Sequence, residues 1–350
     1  MSASAGHRAV STLYQALLTG LVLTLVTRRS EDDAADFVFR LFRRQHLEKF
    51  LSGLAKLGLD RLPHAVACAQ YHYLSNQLGG VKTEYVRESD RKAWVRYPPP
   101  RWIWYGASIC GIPSRVNAAM LHGWHGHNGV TLGNPRLGFV CTGQTVEGDP
   151  GLEGYYLEHD HALAPDERVR FARGETMPPF DPARAPRLDP AAWPAERLDT
   201  VVSRYAMEYV RTALPVLLDL LGPADARGLL GHAARLIGMQ LHDETTRLLD
   251  VPFTAADTGP EPFARYLAAL FRAQGEAVEV EERAGGAAVR LRGWRLARGL
   301  EPLDDAAFDG WCQLWQGALA AQDRRLRLEC AREPGGDVIF RIGSPPGPAA

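Results

Sequence analysis

The feature that most constrains this chain is that one order of elements is written into it twice. Helical spacing comes first: Leu13, Leu17, Leu18 and Leu21, then Phe37, Leu41 and Phe42, then Leu47, Phe50, Leu51 and Leu54 recur at three- and four-residue steps. After Gly79-Gly80 the period drops to two. Val81 to Glu88 and Lys92 to Tyr97 read as a β-hairpin turning at Ser89-Asp90-Arg91. Gly111-Ile112-Pro113-Ser114 opens a helix with proline early in it, expected to run to about Asn128, and Arg136 to Thr142 and Gly154 to Asp160 are two further strands. From Arg173 to Arg197, Pro178, Pro179, Pro182, Pro186, Pro190 and Pro194 recur too often for a regular element. Beyond them the order returns. Helices from Val201 to about Ala273 precede strands at Ala277 to Arg283 and Ala288 to Leu296, which turn at Ala284-Gly285-Gly286. A helix from Asp304 to Ala321 follows, and Arg325 to Cys330 and Asp337 to Ile342 form a last hairpin.

The expected fold class is therefore α+β: two tandem modules, each a helical segment followed by a β-β-α-β-β antiparallel sheet unit. The first module takes residues 1–172, a Pro-rich linker 173–197, and a second, structural module 198–345. The third strands alternate alike. Leu137, Phe139 and Cys141 share one face of the first, and Leu326, Leu328 and Cys330 one face of the second.

Composition narrows the function classes. Forty Lys and Arg stand against 41 Asp and Glu, a net charge of -1, so no field draws a polyanion and nucleic acid is not expected as a partner. The five cysteines are odd in number and scattered, without a C-x-x-C pair, which reads as reduced thiols in a cytoplasmic protein. The apolar run from Tyr14 to Val26 falls short of the roughly 20 residues a membrane span needs, and Thr27-Arg28-Arg29-Ser30-Glu31 offers no cleavage signal. A buried N-terminal helix is expected, with no integral membrane segment.

The chemistry-bearing residues concentrate in the first module. At 100° per residue Val116, Met120, Trp124 and His127 share one helix face, while His122 and His125 lie opposite. His127 is thus expected toward the core or a pocket, where an imidazole serves as general base or sits as a neutral core residue. His122 and His125 are the candidate metal pair, although no metal or other cofactor is favoured. Glu84 and Glu88 share one side of the first strand, where paired carboxylates suit acid/base work and charge also blunts an edge. Arg96 and Arg101 beside Trp94, Trp102 and Trp104 suit a planar or carboxylate-bearing ligand. Cys141 is the candidate nucleophile, yet its alternation with Leu137 and Phe139 favours a buried, structural thiol.

Asn134-Pro135-Arg136-Leu137-Gly138-Phe139-Val140-Cys141-Thr142, then Glu147-Gly148-Asp149, then Gly154-Tyr155-Tyr156 resemble the pattern of the 2-amino-thiazoline-4-carboxylate hydrolase-like family, itself similar in shape to vinyl-reductase-type ligand-binding domains. That family shows an Asn-Pro before the third strand, a Gly-Asp turn and a cysteine close behind it. Here Pro150-Gly151-Leu152-Glu153 follows the first Gly-Asp and Val338 the second, so neither copy carries that thiol. The resemblance implies a hydrolase acting on a small polar or heterocyclic molecule. His127 would be its base, Glu84 or Glu153 the base's carboxylate partner, and Arg96, Arg101, Trp94, Trp102, Trp124 and Tyr155 the lining. Two alternatives stand beside it: a non-catalytic small-molecule-binding or sensory protein, and a metal-dependent enzyme built on His122 and His125. The two modules face each other either within one chain or across a homodimer.

Overall fold

A computed structural model describes residues 3–251, 253, 259–283, 285–300 and 302–344. Ala284 of the expected turn, residues 252 and 254–258 of the expected helical stretch, and Pro345 at the end of the expected second module lie outside them. The chain divides into two compact units, residues 25–198 and residues 1–24 with 199–350.

The N-terminal boundary thus differs from the expected module 1–172. Helix α1 (Ala3–Arg28) carries its first part into the second unit. There the Tyr14 hydroxyl meets Gln274 Oε1 and Trp311 Nε1, both at 3.4 Å, and Gly20 lies against Ile237. Periodicity marks a helix as apolar and leaves its partner unspecified. By length and hydropathy alone, residues 5–28 are apolar enough to cross a membrane, but Leu13, Tyr14, Leu17 and Leu18 are buried against this unit.

In the unit 25–198, α2 (Glu31–Lys56) starts where the Ser30 side chain accepts from Asp33 N at 2.9 Å, with three acids in the first turn facing the positive end of the helix. α3 (His64–Leu78) follows. Strands β1 (Glu84–Arg87) and β2 (Lys92–Tyr97) form the expected hairpin. α4 (Ser114–Gly123) packs along α2, and the two backbones approach so closely at Gly123 that a Cβ there would strike Phe39 O. A short α5 (Asn128–Thr131) leads into β3 (Leu137–Gly143), β4 (Leu152–Glu158) and β5 (Val169–Phe171). The sheet order is β1-β2-β4-β3-β5, antiparallel except for the parallel β3–β5 pair, a strand too short to show a period.

In the second unit α6 (Ala195–Leu248) bends at Gly222, whose φ of 74° suits a residue without a Cβ, just before Pro223. α7 (Glu261–Ala273) precedes β6 (Val278–Arg283) and β7 (Gly286–Leu291), and α8 (Asp305–Gln322) precedes β8 (Arg327–Arg332) and β9 (Val338–Gly343). The order β6-β7-β9-β8 is that of β1-β2-β4-β3. The α+β class and two like sheets are therefore both present.

The Pro-rich stretch is more than a linker. Ala172 N donates to Cys141 O at 2.9 Å and Met177 N to Glu153 Oε1 at 3.0 Å. Met177 is buried with Trp94, Val140 and Tyr155, and Phe180 packs beside them. A segment barred from helix by proline is here held as a strap on the sheet.

Candidate functional site

The helix expected to run to Asn128 stops at Gly123, and this reverses the histidine faces. Trp124, at φ −107° and ψ −68°, leaves helical geometry, and His125–His127 form a tighter 3-10 turn. His125 swings inward to 5% exposure, whereas His127 is only half-buried. The 100° rule held as far as the helix did.

What His125 enters is a polar interior between the helices and the inner face of the sheet. Its ring stacks on His72 at 4.1 Å and 12°, and both rings lie nearly parallel to Tyr156. Asn128 Nδ2 donates to the Tyr156 hydroxyl at 2.8 Å and reaches His72 Nε2 at 3.5 Å. The Tyr156 hydroxyl also shares a hydrogen bond of 2.7 Å with His125 Nδ1. His46, from α2, stacks on Phe50 and meets Trp124 edge-on at 5.6 Å. A guanidinium only donates, so Arg43 Nη1 at 2.7 Å makes His46 Nδ1 the acceptor and leaves the proton of the neutral ring on Nε2. Trp124 Nε1 is buried without a hydrogen-bond partner, while the His46 Nε2 and the Asn128 amide face each other. The Asn128 amide lies against both the His46 ring and the Cys68 thiol.

Burial keeps these groups neutral. It pushes His46 and His72 down to about 3, with Arg43 adding to the effect on His46 and His46 to that on His72, and it holds His125 well below the usual imidazole value, with His72 and Arg101 adding. The Tyr156 hydroxyl and Cys68 thiol are pushed up for the same reason. Arg101, a candidate lining residue, is brought to this side: its guanidinium lies 5.2 Å from the Tyr97 ring centre and its charge is felt at His125. Trp124 is here as well, 8% exposed, while Trp102 is half-buried nearby in sequence.

The expected base and acids are separated by the sheet. His127 Nδ1 donates to His122 O at 2.9 Å, and its ring lies near Phe39 and His46 on the helix side, its proton affinity lowered by burial and then by Arg43. Glu84, Arg96 and Glu153 form one row across β1, β2 and β4 on the other face, alternate to the row of Tyr85 and Gly154. In that row Arg96 stands 3.4 Å from Glu84 and 3.8 Å from Glu153, and Glu153 Oε1 accepts from Thr142 Oγ1 and Met177 N, both at 3.0 Å. Trp94 Nε1 donates to Glu88 at 2.7 Å, the Tyr155 hydroxyl to Glu175 at 3.0 Å, and Lys92 Nζ lies over both rings beneath the strap. Arg96 is therefore engaged by two carboxylates, and Trp94 and Tyr155 by one each.

Two further expectations meet the same geometry. Cys141 is buried, its thiol pushed up to about 12 by burial and donating to Gly143 O at 3.5 Å, the structural rather than the nucleophilic state. His122 lies by Phe171 while His125 points inward, and among the described residues no group of three or more His, Cys, Asp or Glu side chains is placed to hold a metal ion.

The residues that sequence reasoning missed are His46, Cys68, His72, Asn128 and Tyr156. A signal existed for the first: Phe42, His46, Phe50 and Leu54 are spaced four apart and all buried, whereas Leu47 and Leu51, read as part of the stripe, are 64% and 54% exposed. Choosing leucine over histidine shifted the face by one residue. No family model, no curated protein and no solved structure matches this chain.

Proposed function

We propose that the unit 25–198 binds a small planar molecule carrying a carboxylate, without chemically transforming it, and that the polar interior around His46, Trp124 and Asn128 is where it is held. One observation carries the reading: the Trp124 N–H is buried without a hydrogen-bond partner inside an aromatic cluster, beside a His46 ring and an Asn128 amide that face each other. Such a group costs about 1–3 kcal/mol when unpaired, so it marks a place where a bound molecule returns that energy. Trp124 asks for an acceptor oxygen, and Arg101 supplies the charge for a carboxylate. Non-catalytic binding is favoured over hydrolysis because a general base works best with a pKa near the working pH. The buried imidazoles lie far below that, and the carboxylates expected to assist His127 stand on the opposite sheet face.

The test is thermal unfolding of the full chain with aryl carboxylates, starting with benzoate and picolinate, and with their methyl esters. The acids should raise Tm saturably and the esters should not, the Arg101→Gln variant should lose the response while keeping its native circular dichroism, and mass spectrometry should recover the acids and esters unchanged. Equal responses from acid and ester, an undiminished response in Arg101→Gln, or turnover of any of them would sink the reading.

A further inference from the structure

The second unit carries a site of its own. Arg204, Glu208 and Arg211 fall on one face of α6, being four and seven residues apart, and with Met207 they meet Arg295 and Leu296, from the turn after β7, around a half-open cavity of about 180 Å³. Two of the guanidiniums are fixed in place by backbone. Arg211 Nε donates to Arg298 O at 3.2 Å, and Arg295 Nη1 reaches Gly275 O at 3.4 Å while its own N–H donates to Glu276 Oε1 at 2.8 Å. Glu208 pairs with Arg211 at 3.8 Å. Three guanidiniums thus line the cavity against one carboxylate. Adding Arg298 and the buried Glu276, which feel one another, makes four cations against two carboxylates. This local excess of two positive charges stands in a chain whose net charge is -1. Met207 and Leu296, both buried, give the cavity an apolar floor.

We propose that this cavity binds a compact dianion, a phosphate monoester or free phosphate, between Arg204, Arg211 and Arg295. The planar fork of arginine matches phosphate oxygens in pairs, and two anchored guanidiniums lose little freedom when they engage. The apolar floor places the ester's organic part against Met207 and Leu296. The proposal is independent of the ligand assigned to the other unit.

Calorimetric titration of the full chain with inorganic phosphate and with phenyl phosphate, at ionic strength held constant with sodium chloride, tests it. Saturable binding is expected, tighter for phenyl phosphate, and weakened about tenfold in Arg204→Gln and in Arg295→Gln. Arg204 is exposed on the helix surface, so its variant keeps the fold. Absence of saturable binding in the native chain, or native affinity in both variants, overturns the assignment.

Discussion

The two units share a strand order and fill it differently. In the first, His72 on α3 stacks on Tyr156 on β4 at 5.9 Å and 20°. At the corresponding place in the second, Phe271 on α7 stacks on Phe340 on β9 at 5.1 Å and 28°. Around the phenylalanine pair gather Trp311 and Trp315, and around the polar pair His125, Asn128 and His46. The same scaffold thus tolerates an interior of hydrocarbon or one of imidazoles and amides. Both leave a buried N–H group without a partner, Trp124 Nε1 in the first unit and Trp315 Nε1 in the second, so what sets the first apart is its stacked imidazoles and the Asn128 amide. The difference separates what the fold requires, rings of suitable size between helix and sheet, from what a function adds to it.

Acid should open this comparison most widely. Each buried imidazole has a pKa below its unfolded value near 6.5, so below that pH the unfolded chain binds protons the fold refuses. Stability from these rings is complete above about pH 6.5 and falls as pH drops toward the folded values of about 3 for His46 and His72. Three such rings, His125 included, stand in the first unit, so its stability falls more steeply with acid than that of the second, where His242 is pushed down to about 4 by burial. Hydrogen exchange followed by mass spectrometry should show residues 25–198 losing protection first, and simultaneous loss in both units would break the comparison.

Phe271→Ala should cost about 3–5 kcal/mol by leaving a cavity under Phe340, read from denaturant midpoints. His72→Phe, which carries the second unit's solution into the first, should change stability by no more than about 1.5 kcal/mol and should flatten the acid slope by about a third. A loss of several kcal/mol there would mean that the imidazole is structurally required. A last pair of variants tests a likeness. Gly123→Ala and Gly317→Ala each drive a Cβ into the backbone of a neighbouring helix, at Phe39 O and Arg235 O, and should each cost about 1–3 kcal/mol. If one variant is neutral, the close helix approach matters to one unit only.

The repeated strand order was legible because alternation and turn residues act locally: Lys92 to Tyr97 is a strand and Ser89-Asp90-Arg91 its turn for reasons contained within a dozen residues. The interior chemistry was less so. Which imidazole faces inward depends on where a helix stops, and nothing in Met120 to Asn128 marks Trp124 as that place; the near approach of α2 at Gly123 is a tertiary constraint. Glu84 or Glu153 as the carboxylate partner of His127, and Arg96 as substrate anchor, are roles that assume one shared pocket, whereas register brings the three into a row of their own. Their distance from His127 could not be read, because a strand's period says which residues share a face and not which face a helix covers.

The residence of the first 24 residues in the second unit also sets an order of events during synthesis. Tyr14, Leu17 and Leu18 leave the ribosome ahead of Ser203, Ile237, Gln274 and Trp311, which belong to the unit that shelters them and follow after residue 198. At about 5–20 residues per second the helix waits on the order of ten seconds or more for its partners. Throughout that interval an unusually apolar segment is available to chaperones, to membranes and to its own copies. A nascent chain halted at residue 198 would hold a unit with a complete sheet and, tethered to it, a helix without the partners that bury it.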